Sequence, residues 1–455
     1  MRYFLLLTTF LLFSFLSFSQ VENFDLSKYK LPDIKRHQMD FFIYTNGRSN
    51  STTTQRNEDT GEDAYESKSR EIEGNADVSY KYYRNSELFQ STINSYIKLN
   101  GTLTDRFASW TDEELVTFFN PHLGFGYNVN MFNRKNKWFF KTAPAFNVSY
   151  LADNKLEGEN EQKVNSFNIG GALKLGVGIG RIEQVHDFRH AVIIVKDLEE
   201  RNVLARDITE NEIVELATLI SELKNKRFFD YRKRKEAELT AIHSFFTEKG
   251  LVSENSISYF TGLNDIWSYG GNSIRESGTQ FLFAVTPRYS FEKDKNSISN
   301  NEVSKNSVTM QYNLSYVSKK PVSIKWQRDF AVVAGHDFTK MDKEIVGTSE
   351  ENEQKYNTRI FANGALCFYP DTRTSFSLSI SPEFGNFSSE KVIDKENYFF
   401  NFDLSTRAYY YISERFRVGY EIIYRHYALH IFNDDVPNLN RNYFYYRFSF
   451  SYAIF

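Results

Sequence analysis

Charged side chains recur at alternate positions through the C-terminal part of the chain, and their spacing limits what they can do. Arg359, Glu383, Asp403, Arg407, Arg417, Glu421, Arg425 and Arg447 all fall on the less apolar side of period-two segments. A three-residue turn at Ser413 to Arg415 would set Arg407 opposite Glu421 and Asp403 opposite Arg425. Facing opposite charges stabilise a strand register by a few tenths to about 1 kcal/mol. The structural consequence is a wall stiffened by ion pairs. The functional one is an arginine-rich strip whose field favours anionic solutes. Lys81, Lys98, Lys141, Lys174, Arg288 and Lys325 share this phase, as do Glu73, Asp77 and Asp329.

Other chemistries have thinner support. His122, His336, His426 and His430 lie near segment ends, and a hydrolase would need one of them oriented by a carboxylate. Asp337 cannot orient His336, because neighbours on a strand face opposite sides, so Asp435 of the Asp434-Asp435 pair would have to serve. Asp153, Glu157, Glu159 and Glu161 would attract divalent ions without any ligand spacing. The lone Cys367 excludes an internal disulfide, and no Cys/His cluster has metal-site spacing. No cofactor is expected. A basic run at Lys224, Lys226, Arg227, Arg232, Lys233, Arg234 and Lys235 suits a solvated helix face, or a surface that docks an acidic partner. A net charge of −3 gives no reason to expect nucleic acid.

The elements that carry these residues are strands. In 375–384, Phe376, Leu378, Ile380, Pro382 and Phe384 alternate with Ser375, Ser377, Ser379, Ser381 and Glu383. In 307–316, Val308, Met310, Tyr312, Leu314 and Tyr316 do the same against Ser, Thr, Gln and Asn. About fourteen such segments follow one another, each long enough for the roughly 9–11 residues that cross a bilayer as a tilted strand. Short links (83–86, 133–137, 318–321, 369–372, 413–415) alternate with long polar ones (53–69, 105–120, 151–163, 292–305, 339–356, 385–396, 428–441). Thr111-x-x-Glu114 reads as the start of a short loop helix. Gly170, Gly176, Gly178 and Gly180 leave one side of the sixth strand bare, open to a close backbone from the N-terminal segment or the insert, or to strand curvature.

Residues 182–272 break the pattern. Thr209-x-x-Glu212 is a capping box, followed by Ile213, Leu216, Ala217, Ile220 and Leu223 at helical spacing; Leu239, Ile242 and Phe246 continue in a helix that ends at Gly250. The expected division is a signal peptide at 1–19, an N-terminal segment at 20–38, strands one to six at 39–181, the helical insert, and strands seven to fourteen at 273–455. Arg2, the apolar stretch Tyr3 to Leu16 and Ser17-Phe18-Ser19 carry the export signal, with cleavage expected after Ser19.

Tyr 29 and Phe 43 in 455 residues, beside 25% charged residues and a mean hydropathy of −0.50, describe aromatics interleaved with polar residues rather than a continuous core. Trp138, Trp326, Tyr316, Tyr369 and Tyr410 gather at one end of the strands; Tyr150, Phe291, Phe384, Phe400 and Phe444 gather at the other. Two aromatic belts suit the two interfaces of a membrane. Strands in lipid must then close, since an open edge leaves backbone groups unpaired.

With its export signal, its amphipathic strands and a last strand running Tyr443 to Phe455, the chain resembles the outer-membrane β-barrel proteins of Gram-negative bacteria, porins among them. Phe455 is out of phase with Phe444, Tyr446, Phe448, Phe450, Tyr452 and Ile454. The resemblance implies a mainly β, antiparallel transmembrane barrel in the outer membrane, with the insert in the periplasm. Lipid would cover one face, and the C-terminal strand would engage the barrel assembly machinery. The first functional expectation is a non-enzymatic pore or transporter for polar solutes, gated or plugged by the insert. The alternative is a docking protein with a filled lumen whose helices bind a periplasmic partner. A hydrolase at the rim is least favoured.

Overall fold

The computed structural model describes residue 26 and residues 29–452, apart from internal segments at 55–64, 109–110, 134–136, 158–159, 226–230, 253–255, 271–274, 298–300, 346–348, 390–396, 414–415 and 431–438. The export signal, Phe455 and the Asp434-Asp435 pair lie outside the described residues.

Fourteen antiparallel strands form one sheet in which every strand pairs with its neighbour in sequence. They are β1 (Ile34–Thr54), β2 (Tyr65–Asn85), β3 (Phe89–Ala108), β4 (Thr111–Phe132), β5 (Trp138–Glu157), β6 (Asn160–Gln184), β7 (Glu276–Asn296), β8 (Asn301–Pro321), β9 (Trp326–Ile345), β10 (Ser349–Phe368), β11 (Thr374–Ser389), β12 (Asn397–Tyr411), β13 (Phe416–His430) and β14 (Leu439–Tyr452). Between β6 and β7 stand four helices, α1 (His186–Glu200), α2 (Glu210–Asn225), α3 (Tyr231–Glu248) and α4 (Ile257–Gly270).

The strands are longer than the alternating apolar pattern. β1 to β10 run 20 to 25 residues, about 70 Å of extended chain and well beyond what a bilayer requires. Most of the long polar links expected between strands are therefore strand. β3 continues to Ala108 and β4 begins at Thr111, paired there across the hairpin. The expected loop helix at Thr111 is a strand instead. Glu114 meets Arg106 at 3.2 Å and Lys155 at 3.6 Å from the flanking strands, and these cross-strand charges outweigh a local capping signal. The short turns also shift by a few residues: β2 runs to Asn85 and β8 to Pro321 before the chain reverses.

The sheet is curled. Laid flat, β1 and β10 would stand nine strand spacings apart, about 43 Å. Yet Asp187 of α1 lies 3.4 Å from Arg36 of β1, while Arg189, two residues on, donates from Nη2 to the Asp371 carbonyl at 3.2 Å, in the turn after β10. Two arginines and one helical turn cannot bridge a flat sheet. Ile34 of β1 and Ile324 of the β8–β9 turn even share one hydrophobic core. No pairing between β1 and β14 is present among the described residues, and β1 from His37 to Ser51 and β14 from Asn440 to Phe450 are exposed.

Curvature also tells inside from outside. On β7, Phe281 and Phe283 are 42% and 44% exposed, whereas Leu282, Ala284 and Thr286 on the other face are at 9%, 1% and 2%. The exposed aromatic set is convex, and the closely packed set is concave.

Candidate functional site

The concave face of β9 to β14 gathers the charged residues. The register sets Arg407 opposite Glu421 and Asp403 opposite Arg425. Arg407 Nε donates to Glu421 Oε1 at 2.5 Å, and Arg425 grips Asp403 through Nε and Nη2, both at 2.8 Å. Arg359 sits 3.9 Å from both Asp337 and Glu383, and Glu383 Oε2 accepts from Asn401 Nδ2 at 2.9 Å. Arg417 lies over Tyr409 and Tyr411, Arg447 over Tyr445, and Arg447 faces Glu421 across the β13–β14 pair. Each of these arginines thus meets a carboxylate or a ring, so the strip carries mixed charge rather than one sign.

The rest of that face follows the same rule. Lys98 reaches Asp77 at 3.7 Å, Lys319 reaches Asp329 at 2.8 Å, and Arg288 donates to Gln311 at 2.8 Å. Lys325 belongs to the β8–β9 turn and not to the wall. On β6, Gly176 and Gly178 lie against Leu282, Ala284 and Phe139 and the carbonyls of Phe281 and Phe283; a Cβ at Gly178 would stand 2.3 Å from the Phe139 ring. The close approach comes from neighbouring strands, rather than from the insert or the N-terminal segment. Phe132, Phe139, Leu282 and Ala284 form a small apolar cluster there.

The histidines do not converge. His336 Nδ1 meets Thr358 Oγ1 at 2.8 Å and His426 Nδ1 meets Asn442 Oδ1 at 2.8 Å, on β9 and β13, four strands apart. His122 pairs with Tyr96 at 3.2 Å. Asp337 lies with Arg359 on the opposite face from His336.

The second concentration of polar groups lies at the end where the short turns are. Val185, Phe188, Ala191, Val192, Val195 and Leu198 bury most of α1, and α2 packs on it through Ile213, Leu216, Ala217 and Ile220, with Leu26, Tyr29 and Leu31 of the N-terminal segment in the same core. The capping box forms as its residue types dictate: Glu212 N donates to Thr209 Oγ1 at 3.3 Å, and Thr209 N to Glu212 Oε2 at 2.9 Å. Gly250 takes φ +63°, the left-handed conformation that ends α3 without a Cβ clash.

Where this helical unit meets the strands, the contacts are charged. Asp187 is fully buried and bound by Lys224 Nζ at 2.8 Å and Arg36 at 3.4 Å. Burial pushes its carboxyl up, but Lys224, His186 and Arg36 together hold it well below the usual range. Burial, reinforced by Lys224 and Arg36 against the opposing pull of Asp187, holds His186 down at about 4. His190, stacked on Trp267 and bound through Nε2 to the Ile266 carbonyl, is also pushed well down by burial. Arg189 Nε donates to the Ile324 carbonyl at 3.0 Å; Arg275 donates to the carbonyls of Ser323, Ile324 and Trp326, each at 2.8 Å. Burial, aided for Arg189 by Arg275, lowers both guanidinium groups to about 10. Tyr369, expected in an aromatic belt, is instead held between these two arginines. Arg373 of the β10–β11 turn pairs with Asp265 of α4 and lies over Tyr269.

Lys226 and Arg227 lie outside the described residues, and the described part of the basic run is only partly a solvated face. Lys224 is the buried partner of Asp187, and Arg234 binds Glu238, which also accepts from Trp267 Nε1 at 2.8 Å. Arg36, Asp187, Arg189, Arg275 and Arg373 were not legible as site residues. Their partners are turn carbonyls and side chains scores of residues away, which no local spacing encodes.

The fold is an all-next-neighbour antiparallel meander of fourteen strands, curled with its large apolar side chains convex and a helical insertion at one end. No helix among the described residues is long and apolar enough to cross a membrane. No family model matches the sequence, and no curated protein matches it. Among solved structures, the chain is similar to the translocator domain of autotransporter NalP from Neisseria meningitidis, at 8% identity and a TM-score of 0.26, covering 77% of this chain and 86% of that one. It is also similar to OmpT, an outer membrane protein of Vibrio cholerae, at 6% identity and a TM-score of 0.23, covering 95% and 100%. A third is the CymD monoaromatic hydrocarbon channel, at 7% and 0.25, covering 88% and 85%. Superpositions this loose assign neither substrate nor mechanism.

Proposed function

We propose that the chain is an outer-membrane barrel that passes polar solutes, with the helical insert and the N-terminal segment as a plug at its periplasmic end. The observation that carries this reading is the inversion of the sheet. Its convex side exposes a belt that includes Phe281, Leu314, Phe330, Ile360, Phe384 and Phe448, each at 40% or more, while its concave side is ion-paired. A belt of that extent is stable against lipid and not against water. Pairing of β14 with β1 completes the wall: with an even strand count they run antiparallel, and an open edge in lipid costs several kcal/mol per unpaired group. Lipid contacts the belt, and the C-terminal strand is the segment offered to the assembly machinery. No step of the reading needs an enzyme or a cofactor.

The plug role is supported by reach. The insert touches β1 through Arg36, the β8–β9 turn through Arg189, the β10–β11 turn through Asp265, and β12 through Tyr269 against Tyr411. A disulfide replacing the Asp265–Arg373 pair, in a Cys367→Ser background, tests it. Planar-bilayer current should be closed when oxidised and open in bursts when reduced. Equal currents in both states remove the plug.

A second reading, docking to a periplasmic protein, draws on Ile257 and Phe260 of α4, which are 85% and 42% exposed. It becomes the better account if neither redox state conducts.

A further inference from the structure

The concave wall of β10 to β14 holds a cleft of about 380 Å3, and the strand register explains its composition. One transverse row runs Phe361, Glu383, Asn401, Tyr427 across four strands. The adjacent row runs Ser381, Asp403, Arg425, Tyr443. Rings therefore stand at both ends of a polar centre. Phe361 and Tyr427 are three strand spacings apart, roughly 14 Å, the length of a short oligosaccharide rather than of a single small ion.

The centre carries two carboxylates, Glu383 and Asp403, against Arg425, with Arg359 beside it shared between Glu383 and Asp337. Asp403 is held by Arg425 through two hydrogen bonds, and Glu383 lies between Arg359 and the Asn401 amide. An excess of one carboxylate disfavours an anion, and the pairing of the carboxylates with Arg425, Arg359 and Asn401 weakens their pull on a cation. The carboxylates of the cleft keep lone pairs for hydroxyl donors, and its rings offer flat apolar faces. A hydrocarbon would cover the carboxylates without giving them a donor, which is costly. A ring compound with an apolar face and a rim of hydroxyls matches both parts. We propose that this cleft binds a neutral saccharide, and that saccharides are the polar solutes the barrel accepts.

The proposal rests on the polar face being a water-filled lumen, so its test reads binding rather than current. The full chain in detergent would be titrated calorimetrically with maltose through maltohexaose, and with citrate as the anionic control. Binding should tighten with sugar length until the cleft is filled, and citrate should neither bind nor compete. Tyr427→Ala and Tyr443→Ala should each weaken binding about three- to tenfold, while Tyr427→Phe and Tyr443→Phe, which keep the ring and the fold, should stay within about twofold of the parent. Sugar binding without current would sustain the cleft while removing the pore. Current without sugar binding, citrate binding in place of sugar, or alanine variants that bind as well as the parent would overturn the proposal.

Discussion

In the helical insert Ile213, Leu216, Ile220 and Phe246 are wholly buried, and Arg206 and Glu210 face water. In the sheet the preference is reversed: Phe281, Phe283 and Phe384 are exposed, while Thr286 and Gln311 are buried at 2% and 4%. One chain thus follows two opposite patterning rules. The insert packs like a water-soluble domain; the sheet has the opposite patterning, which is what the proposed lipid-embedded wall requires. The boundary between the two regimes is where the buried charges sit, and it is there that the structure departs most from local sequence rules.

The contrast can be broken most strongly at that boundary. Asp187→Asn leaves Lys224 buried without its carboxylate, and removing one partner of a buried pair costs about 3 kcal/mol or more. Hydrogen exchange should show residues 186–270 losing protection while β11 to β14 keep theirs; equal loss in both would mean that the insert and the wall unfold as one unit.

Next in size is the outward apolar belt. Ile380 is central in the outward run from Phe376 to Phe384, and Ile380→Arg should cost about 2–4 kcal/mol for folding into vesicles. Ser379→Arg, one residue away on the concave face, should cost far less. Similar penalties at both positions would mean that the two faces share one environment.

Acid sharpens the comparison from the other side. His186 is held at about 4 and His190 well below its ordinary value, both mainly by burial, so both are neutral in the fold. The unfolded insert takes up their protons below pH about 6.5, whereas the folded one takes up that of His186 only near 4 and resists protonation of His190, so stability is full above pH about 6.5 and falls as the pH drops below it. Thermal melting of the insert should move down between pH 7 and 5, while strand signal stays level. A melting point constant over that interval would contradict the burial of both rings.

The smallest effect belongs to the exposed ion pairs. A double-mutant cycle on Asp403 and Arg425 should return about 0.2–1 kcal/mol of coupling in stability. A coupling several times larger would place that pair in a dry setting.

Much of this division was legible in the residues. The phase of Phe376, Leu378, Ile380 and Phe384 gave β11 its two faces, and Arg407 against Glu421 followed from turn length. The Thr209–Glu212 box marked the start of α2 because its partners are three residues apart. Strand length was not legible, since the hairpin extensions above the belt carry polar residues on both faces and so lose the alternation. Thr111 misled because a helix cap and a strand start share the same residue types, and Arg106 and Lys155 on the flanking strands decided between them. The clasp of Arg189 and Arg275 was hidden because backbone carbonyls have no residue identity.

Single spin labels at 376–384 on β11, in a Cys367→Ser background, test the inversion most directly by comparing collision with oxygen and with a water-soluble nickel chelate in vesicles. Labels at 376, 378, 380 and 384 should favour oxygen, and those at 377, 379, 381 and 383 should favour nickel, with a period of two. Uniform accessibility to nickel along the strand, or the opposite phase, would contradict it.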